Sequence, residues 1–388
     1  MQSAEIRQKF LDFFKERGHT VIPSSSLVPA GDSSVLFTTA GMQQFKPYYI
    51  GKADAQKDFG ALNTASAQKC VRTSDIEAVG DESHLTFFEM LGNFSFGDYW
   101  KKEAIEYAHE FITKDMGLQI DFVSVFGGEA GVPEDKESAE IWQSIDSNII
   151  IKKFSRKDNF WGPTGVEGPC GPTTEIYVEG IEIWNIVFNE YYSAKGGPAS
   201  GGQNILQPLK VKGVDTGMGL ERLVKVIQKV PTVFETDLFE SIMQVVNSRI
   251  VADHIRTAVF MIADGVTPSN TDRGYILRRL LRRAYVKHNN LAPVIEVIMR
   301  HPSYDGIYTF NPETNKIISE ELNKFKKTLD TGLKQVENGA DPFTLFTTYG
   351  LPLEIIVEVT PVDKAKFEKQ MAEHRQLSSL AGENKFKK

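Results

Sequence analysis

Apolar positions along this chain recur with two periods, and the switches between them mark out most of its elements. From Ala4 to Arg17, Ile6, Phe10, Phe13 and Phe14 repeat at helical spacing, with Ser3 placed as an N-cap and Gly18 as the stop. His19–Val28 reads as a strand, and Pro23 and Pro29 suit it to a sheet edge rather than a centre. Leu36–Lys46 reads as strand and turn. Lys69–Thr73 and His84–Leu91 are apolar, β-prone arms joined by a polar, acidic, glycine-bearing link, the pattern of a hairpin with a long connection. Lys101–Lys114 returns to helical spacing through Ile105, Ala108, Phe111 and Ile112, with His109 as a surface or packing residue.

Further on, Leu118–Ile151 has the alternation of a small α/β excursion, and Asp158–Glu175 is so dense in glycine and proline that it reads as a structured loop. Ile181–Tyr192 is a strand with polar groups on both faces. Ser193–Gly202, rich in glycine and serine, reads as a hairpin tip. A composition shift near Phe239–Val251 opens a helical region. It holds a helix over Ala252–Asp264, a break at Pro268–Asn270, and a helix over Arg273–His288 with Leu277, Leu280, Leu281 and Ala284 on one stripe. Ile317–Val336 is helical, Pro342–Pro352 turn-containing, Asp363–Leu380 a charged terminal helix, and Ala381–Lys388 is expected to be disordered.

Two stretches carry candidate chemistry. With the hairpin arms antiparallel, Arg72 and His84 fall near the loop end, and Phe88 and Met90 lie on the second arm. A cationic rim over an aromatic floor suits a nucleoside triphosphate, because a guanidinium fork matches phosphate oxygens and adenine can lie on a phenyl ring. A hydrophobic core hairpin with one solvated arginine fits this stretch equally well. In VDTGMGLERL, Val214–Leu223, alternating Gly217 and Gly219 would let a ligand approach the backbone, between Asp215 and the Glu221–Arg222 pair. It is neither a dinucleotide fingerprint nor a Gly-Lys-Ser phosphate loop.

The chain has 388 residues, of which 41% are hydrophobic, enough for a real core and two or three domains. No apolar run approaches the roughly 18 to 20 residues of a membrane span, and an amphipathic helix follows Met1, so no membrane association is expected and the cytoplasm is the default compartment. Cys70 and Cys170 alone cannot assemble a disulfide framework or a four-cysteine zinc site; they read as buried thiols, and no structural zinc is expected. A net charge of −7 argues against nonspecific adhesion to nucleic acid, so any RNA contact must come from a local basic patch. The candidate is the helix carrying Arg278, Arg279, Arg282 and Arg283 as two i,i+4 rails, read either as a solvated face or as a phosphate-tracking rail.

Taken together, the hairpin and the glycine strand with its terminal arginine resemble the second and third signature motifs of the class II aminoacyl-tRNA synthetases. SSSLVP, LFTTAGMQQFK, FFEMLGNFSFGDYW, DNFWGPTGVEGPCGPTTEI, IEIWNIVFNEY, VDTGMGLERL and ADHIRTAVFMIADGVTPSNTDRGYILRRLLRRA each resemble the alanyl-tRNA synthetase family, in that family's order, densely over residues 3–290. The resemblance implies an α+β fold, with an antiparallel sheet flanked by helices and a mostly helical domain after it. It divides the chain into an aminoacylation domain, residues 1–240, and an acceptor-stem recognition domain, residues 241–388.

The same resemblance implies an ATP-dependent ligase that activates alanine and transfers it to the 3′ end of tRNA(Ala), with magnesium bridging the phosphates. Arg72, Asp215 and Arg222 become the catalytic set. Arg72, His84, Phe88, Glu89, Gly219 and Arg222 would bind ATP, and Glu182 would hold magnesium. The alanine pocket would take Arg72, Met90, Trp161, Asn185, Val187, Asp215 and Gly217. Acceptor-stem contacts would come from Asn270, Arg273, Arg278, Arg279, Arg282, Arg283 and Glu337. Two departures stand out: the short insert with a phosphate-contacting lysine that the bacterial pattern carries after Arg72 is absent, and Lys388 falls about where the family's editing domain starts. The expectations that follow are a monomer, and misacylation with serine or glycine unless another protein edits. Two rival readings are a noncatalytic synthetase-like module and an adenylating ligase that loads a carrier protein.

Overall fold

The computed structural model describes residues 1–31, 35–129, 131–195, 204–351 and 353–373. The first helix, Ser3–Glu16, buries Ile6, Phe10, Phe13 and Phe14 as their spacing requires, and Gly18 turns the chain at φ +82. It leads to β1 (Thr20–Val21), which pairs in parallel with β2 (Asn63–Val71) at the edge of the sheet. The expected strand ends there because side chains take over the pairing. Ser24 Oγ accepts the Lys69 N–H, and Gln68 Oε1 accepts the Ser25 N–H. Leu36–Lys46 is not a strand either: Gly41–Phe45 forms a tight 3₁₀ turn that runs into a helix over Lys46–Tyr49.

β2 pairs antiparallel with β3 (Phe87–Ser95), so the expected hairpin is present with longer arms and a link that includes a 3₁₀ turn at Thr73–Asp75. The excursion is a parallel crossover, β4 (Phe122–Phe126), a helix over Lys136–Ile145 and β5 (Ile151–Phe154). A short β6 (Phe160–Trp161) then pairs with β7 (Gly168–Val178), followed by β8 (Ile181–Ala194) and β9 (Ile205–Gly219). Among the described residues these nine strands form one sheet in the order β1-β2-β3-β9-β8-β7-β4-β5, with β6 off the path against β7.

β7 corrects the reading of Asp158–Glu175 as loop. Its Gly168–Glu175 half is a buried strand in spite of its composition, with a register shift between Cys170 and Thr173. A Cβ on Gly171 would stand 1.8 Å from the Phe188 carbonyl oxygen, so the glycine that looks like a loop marker is what lets β8 close on β7. The hairpin tip expected at Ser193–Gly202 lies mostly outside the described residues, with Ser193 and Ala194 still in β8.

Behind the sheet, the helix Arg249–Ala263 is buried from Val251 to Ile262, on every side rather than on one stripe. Phe260 stacks on Phe87 of β3 at 4.0 Å, so the sheet and the helices share one core. The next helix, Asp272–Lys287, buries Leu277, Leu280, Leu281 and Ala284 as its stripe predicts. A long helix, Thr314–Glu337, packs against it. Pro342–Thr347 is a helix where a turn was expected, and Leu353–Val359 adds another. Helix continues from 364 to 373; the rest of the expected terminal helix and the segment 381–388 lie outside the described residues. No helix among the described residues is long and apolar enough to cross a membrane.

Candidate active site

β3, β9 and β8 lie side by side, and the face they turn away from the helices floors a cleft of about 910 Å³, counting its open mouth. Arg72, His84, Phe88 and Met90 reach it from the hairpin, Asp215, Gly217, Gly219 and Arg222 from β9 and its helix, Asn185, Val187 and Glu182 from β8, and Trp161 from β6. All but one of the residues expected to bind ATP or alanine therefore share one cleft. The exception is Glu89. Alternation along β3 turns it to the opposite face from Phe88 and Met90, where Arg7 grips it at 2.7 and 2.6 Å and Tyr308 donates to it at 2.8 Å. Glu89 is a fully buried structural carboxylate, not an ATP ligand.

At the nucleotide end, the Arg72 guanidinium lies over the Phe88 ring at 5.0 Å and donates to the Thr39 carbonyl at 3.2 Å. His84 is held by Asp81, whose carboxylate takes the ring Nδ1 at 2.5 Å and the His84 and Ser83 amides. Burial pushes the Asp81 carboxyl up, but those hydrogen bonds outweigh it and bring it down to about 2. Arg222 donates to the Glu182 carboxylate at 2.7 Å and to its carbonyl at 3.1 Å. Glu182, expected as a magnesium carboxylate, thus orients Arg222. Among the described residues no group of three or more metal-ligating side chains gathers anywhere.

At the amino-acid end, Asp215 is 4% exposed, and no hydrogen bond reaches its carboxylate from the described residues. Burial alone raises its pKa to about 8. A carboxyl left this way in a pocket wall accepts a cation that brings its own hydrogens. Gly217 keeps the floor low: a Cβ there would stand 2.8 Å from Met90 Sδ. Val187 pairs with Asp215 across β8 and β9, and Asn185 pairs with Gly217, so the side chains that bound the pocket come from register neighbours. Asn185 is tied at 3.0 Å to Glu175, whose carboxyl is pushed up to about 7 by burial and by Glu182.

The arginine helix departs from the expected rail. Arg278 and Arg282 turn toward the long helix and converge on the buried Glu321, at 2.7 and 3.3 Å, with Arg282 also over the Phe325 ring. Their guanidinium groups are half-buried ion-pair partners of that carboxylate. Arg279 and Arg283 turn the other way and hold Glu77 in the hairpin link, Arg283 at 2.7 Å. Arg273 donates to the Leu36 carbonyl, the exposed Asn270 accepts from Arg278, and Glu337 is exposed at the end of its helix.

Sequence reasoning missed the ion pair behind the cleft. Arg256 is fully buried, donates to Glu221 at 2.6 Å and to Tyr304 at 2.7 Å, and Glu221 receives the Glu89 N–H. Burial pushes the Glu221 carboxyl up and Arg256 pulls it back, leaving it above its ordinary value. Its place beside Arg222 in the glycine motif was the available signal.

The family of class II (A) tRNA synthetases matches residues 5–388. An alanine–tRNA ligase of Rubrobacter xylanophilus is 38% identical over 452 residues, covering 98% of this chain and 50% of that protein. The alanine–tRNA ligase of Borrelia hermsii is 38% identical over 455 residues, covering 100% of this chain and 74% of that protein. The chain thus spans from half to three quarters of the length of these relatives, and both aligned spans exceed its own length, so the relatives carry insertions against it. Among solved structures, the aspartyl tRNA synthetase of Entamoeba histolytica is 14% identical with a TM-score of 0.37, over 61% of this chain and 57% of that one. By the family match over nearly its whole length and its identity to the Borrelia protein, this chain belongs to the class II (A) tRNA synthetases, the family of the alanine–tRNA ligases.

Proposed function

We propose that this chain activates alanine with ATP to alanyl-adenylate and transfers the alanyl group to the 3′ end of tRNA(Ala), as its relatives' name states. The observation that carries the reading is the unpartnered, buried Asp215 carboxylate in the same cleft as the Arg72 guanidinium. A small amino acid meets both needs at once, its ammonium on Asp215 and its carboxylate on Arg72.

The alanine carboxylate oxygen attacks the α-phosphorus, the bond from that phosphorus to the α,β-bridging oxygen breaks, and pyrophosphate leaves. The 3′ ribose hydroxyl of the RNA then attacks the alanyl carbonyl and AMP leaves. Neither step needs a protein nucleophile, so the residues align reactants and neutralise charge. Arg72 faces the α-phosphate and the carboxylate, His84 and Arg222 the outer phosphates, and adenine lies between Phe88 and Arg222 near Gly219. Trp161, Val187, Met90 and Gly217 limit the amino acid's size. Magnesium would be held mainly by the phosphates, with Glu182 as the carboxylate toward it, and would supply charge neutralisation there. Arg273, Arg278, Arg279, Arg282, Arg283 and Asn270 form the acceptor-stem face, with Glu337 as an outlying acidic contact, on the helical unit of residues 241–388. Residues 1–240 do the chemistry, in the cytoplasm and as a monomer.

Alanine-dependent exchange of pyrophosphate into ATP, run with alanine, serine and glycine and followed by charging of a tRNA(Ala) transcript, tests this. Exchange with alanine and charging of the transcript are expected. Absence of exchange with any of the three amino acids would overturn the reading.

A further inference from the structure

Behind the amino-acid pocket lies a carboxylate that the reaction above does not use. Glu175 of β7 stands directly opposite Asn185 of β8 in the antiparallel register and is buried. Its Oε1 accepts from Asn185 Nδ2 at 3.0 Å, while its Oε2 accepts from the Tyr177 hydroxyl at 2.8 Å and from Ser124 Oγ at 3.1 Å. Ser124 is itself held by Asn159 at 2.9 Å, so the carboxylate is anchored from its own strand, from β4 and from the turn before β6.

Above about pH 7, where it is ionised, the Glu175 carboxylate only accepts hydrogen bonds, so it is satisfied by the NH₂ end of the Asn185 amide and not by its oxygen. The tie therefore fixes which way the amide points. It leaves Asn185 Oδ1 as the free end, and that atom is buried with no partner among the described residues. Buried acceptors are nearly always met by a donor. The donor fits the ligand: Asn185 faces Gly217 on β9, Asp215 is two residues away on the same face, and all three line the cleft. Two acceptors on diagonal neighbours can share one group that carries several hydrogens.

We propose that Glu175 is a positioning residue of the amino-acid pocket, holding the Asn185 amide so that Oδ1, beside the Asp215 carboxylate, takes a hydrogen of the substrate ammonium. The inference rests on the proposed alanine activation and names the device that orients the ammonium within it. Were the amide reversed, its NH₂ would face the cationic group and repel it.

Glu175→Gln tests this, because a glutamine of the same size can donate as well as accept and so releases the amide to turn. In the exchange assay with the full chain, Glu175→Gln should raise the KM for alanine about tenfold, the worth of one hydrogen bond to a charged group. The KM for ATP and kcat should stay within about twofold. On an Asn185→Ala background the same substitution should add nothing, since Glu175 acts only through that amide. An unchanged alanine KM, an equal rise in both KM values, or full additivity with Asn185→Ala would each overturn the proposal. If Glu175→Gln does not fold, the pair Ser124→Ala and Tyr177→Phe, which frees Oε2, should raise the alanine KM in the same direction, and no rise would overturn it. Failure of the unsubstituted chain to exchange with alanine refutes the activity instead, so the two results are distinguishable.

Discussion

Asp215→Asn should make the protein more stable and less active, and both effects follow from one buried charge. The carboxyl is 4% exposed, has no hydrogen-bond partner among the described residues, and burial has raised its pKa from 3.8 to about 8. In the unfolded chain it ionises near the ordinary value, so between roughly pH 4 and pH 8 the native state binds more protons than the unfolded state. Stability attributable to this group therefore falls as pH rises through that window, by up to about 1.4 kcal/mol per pH unit. Asparagine has the same shape and no charge to desolvate. The variant's melting temperature should match the parent's near pH 4 and exceed it increasingly toward pH 8, with no amino acid present.

Function moves the other way. The ammonium of the substrate loses a charged hydrogen bond worth about 1.5 to 3 kcal/mol, a rise in alanine KM of about 10- to 150-fold. The parent's alanine KM should also fall as pH rises toward 8, because only the ionised carboxylate receives the ammonium, and that dependence should weaken in the variant, where Glu175 still titrates in this range. Thermal unfolding at pH 4, 6 and 8 beside exchange kinetics at pH 6, 7 and 8 measures both. An Asp215→Asn protein that melts below the parent at pH 8, or that keeps the parent's alanine KM, refutes the reasoning.

Gly217→Ala puts a Cβ 2.8 Å from Met90 Sδ, at the flexible end of that side chain, so the thioether should shift into the pocket. The alanine KM should rise about tenfold, read by exchange, and unfolding by denaturant should show a loss of about 1 to 3 kcal/mol, the cost of overpacking. Glu89→Gln leaves Arg7 as a buried charge with half its pairing, so unfolding by denaturant should show a loss of about 3 to 5 kcal/mol, while the folded fraction keeps its KM for ATP. Arg279→Ala combined with Arg283→Ala should raise the KM for tRNA and flatten the salt dependence of charging by about 0.7 to 0.9 in log–log slope for each phosphate that is no longer neutralised. The alanine KM in exchange should not move, and a charging rate with unchanged salt dependence would remove these arginines from the RNA face.

What the sequence displayed was whatever a local period could carry. The first helix, the hairpin, the glycine strand and the leucine stripe of Asp272–Lys287 all stand on spacing of two or of three to four, and they hold. β7 did not, because glycine and proline are loop signals until a neighbour's carbonyl needs the space that Gly171 leaves. The arginine partners were equally hidden: Glu321 and Glu77 lie about 40 and 200 residues from the helix they hold. Glu89 is a different case. The period of two that places Phe88 and Met90 in the cleft also turns Glu89 away from it, so its exclusion could have been read from the hairpin alone.

That turned-away residue bears on how a site made only of positioned groups keeps its geometry. β3 carries Phe88 and Met90 on its front and Glu89 on its back, while the helix after β9 carries Arg222 beside Glu221. Arg7 and Tyr308 hold Glu89, Arg256 holds Glu221 while donating to the Tyr304 oxygen, and the Glu221 carboxylate also receives the Glu89 N–H. Such buried pairs add little net stability over an apolar core of the same shape, but losing one partner is costly. A slip of β3 by one residue would bring Glu89 into the cleft and send Phe88 and Met90 behind it. It would also strand Arg7 without the carboxylate it pairs with, a penalty that no apolar back face would impose. The charges behind the sheet thus stabilise one register of β3, and that register places the aromatic floor and the thioether within reach of Arg72, Asp215 and Arg222.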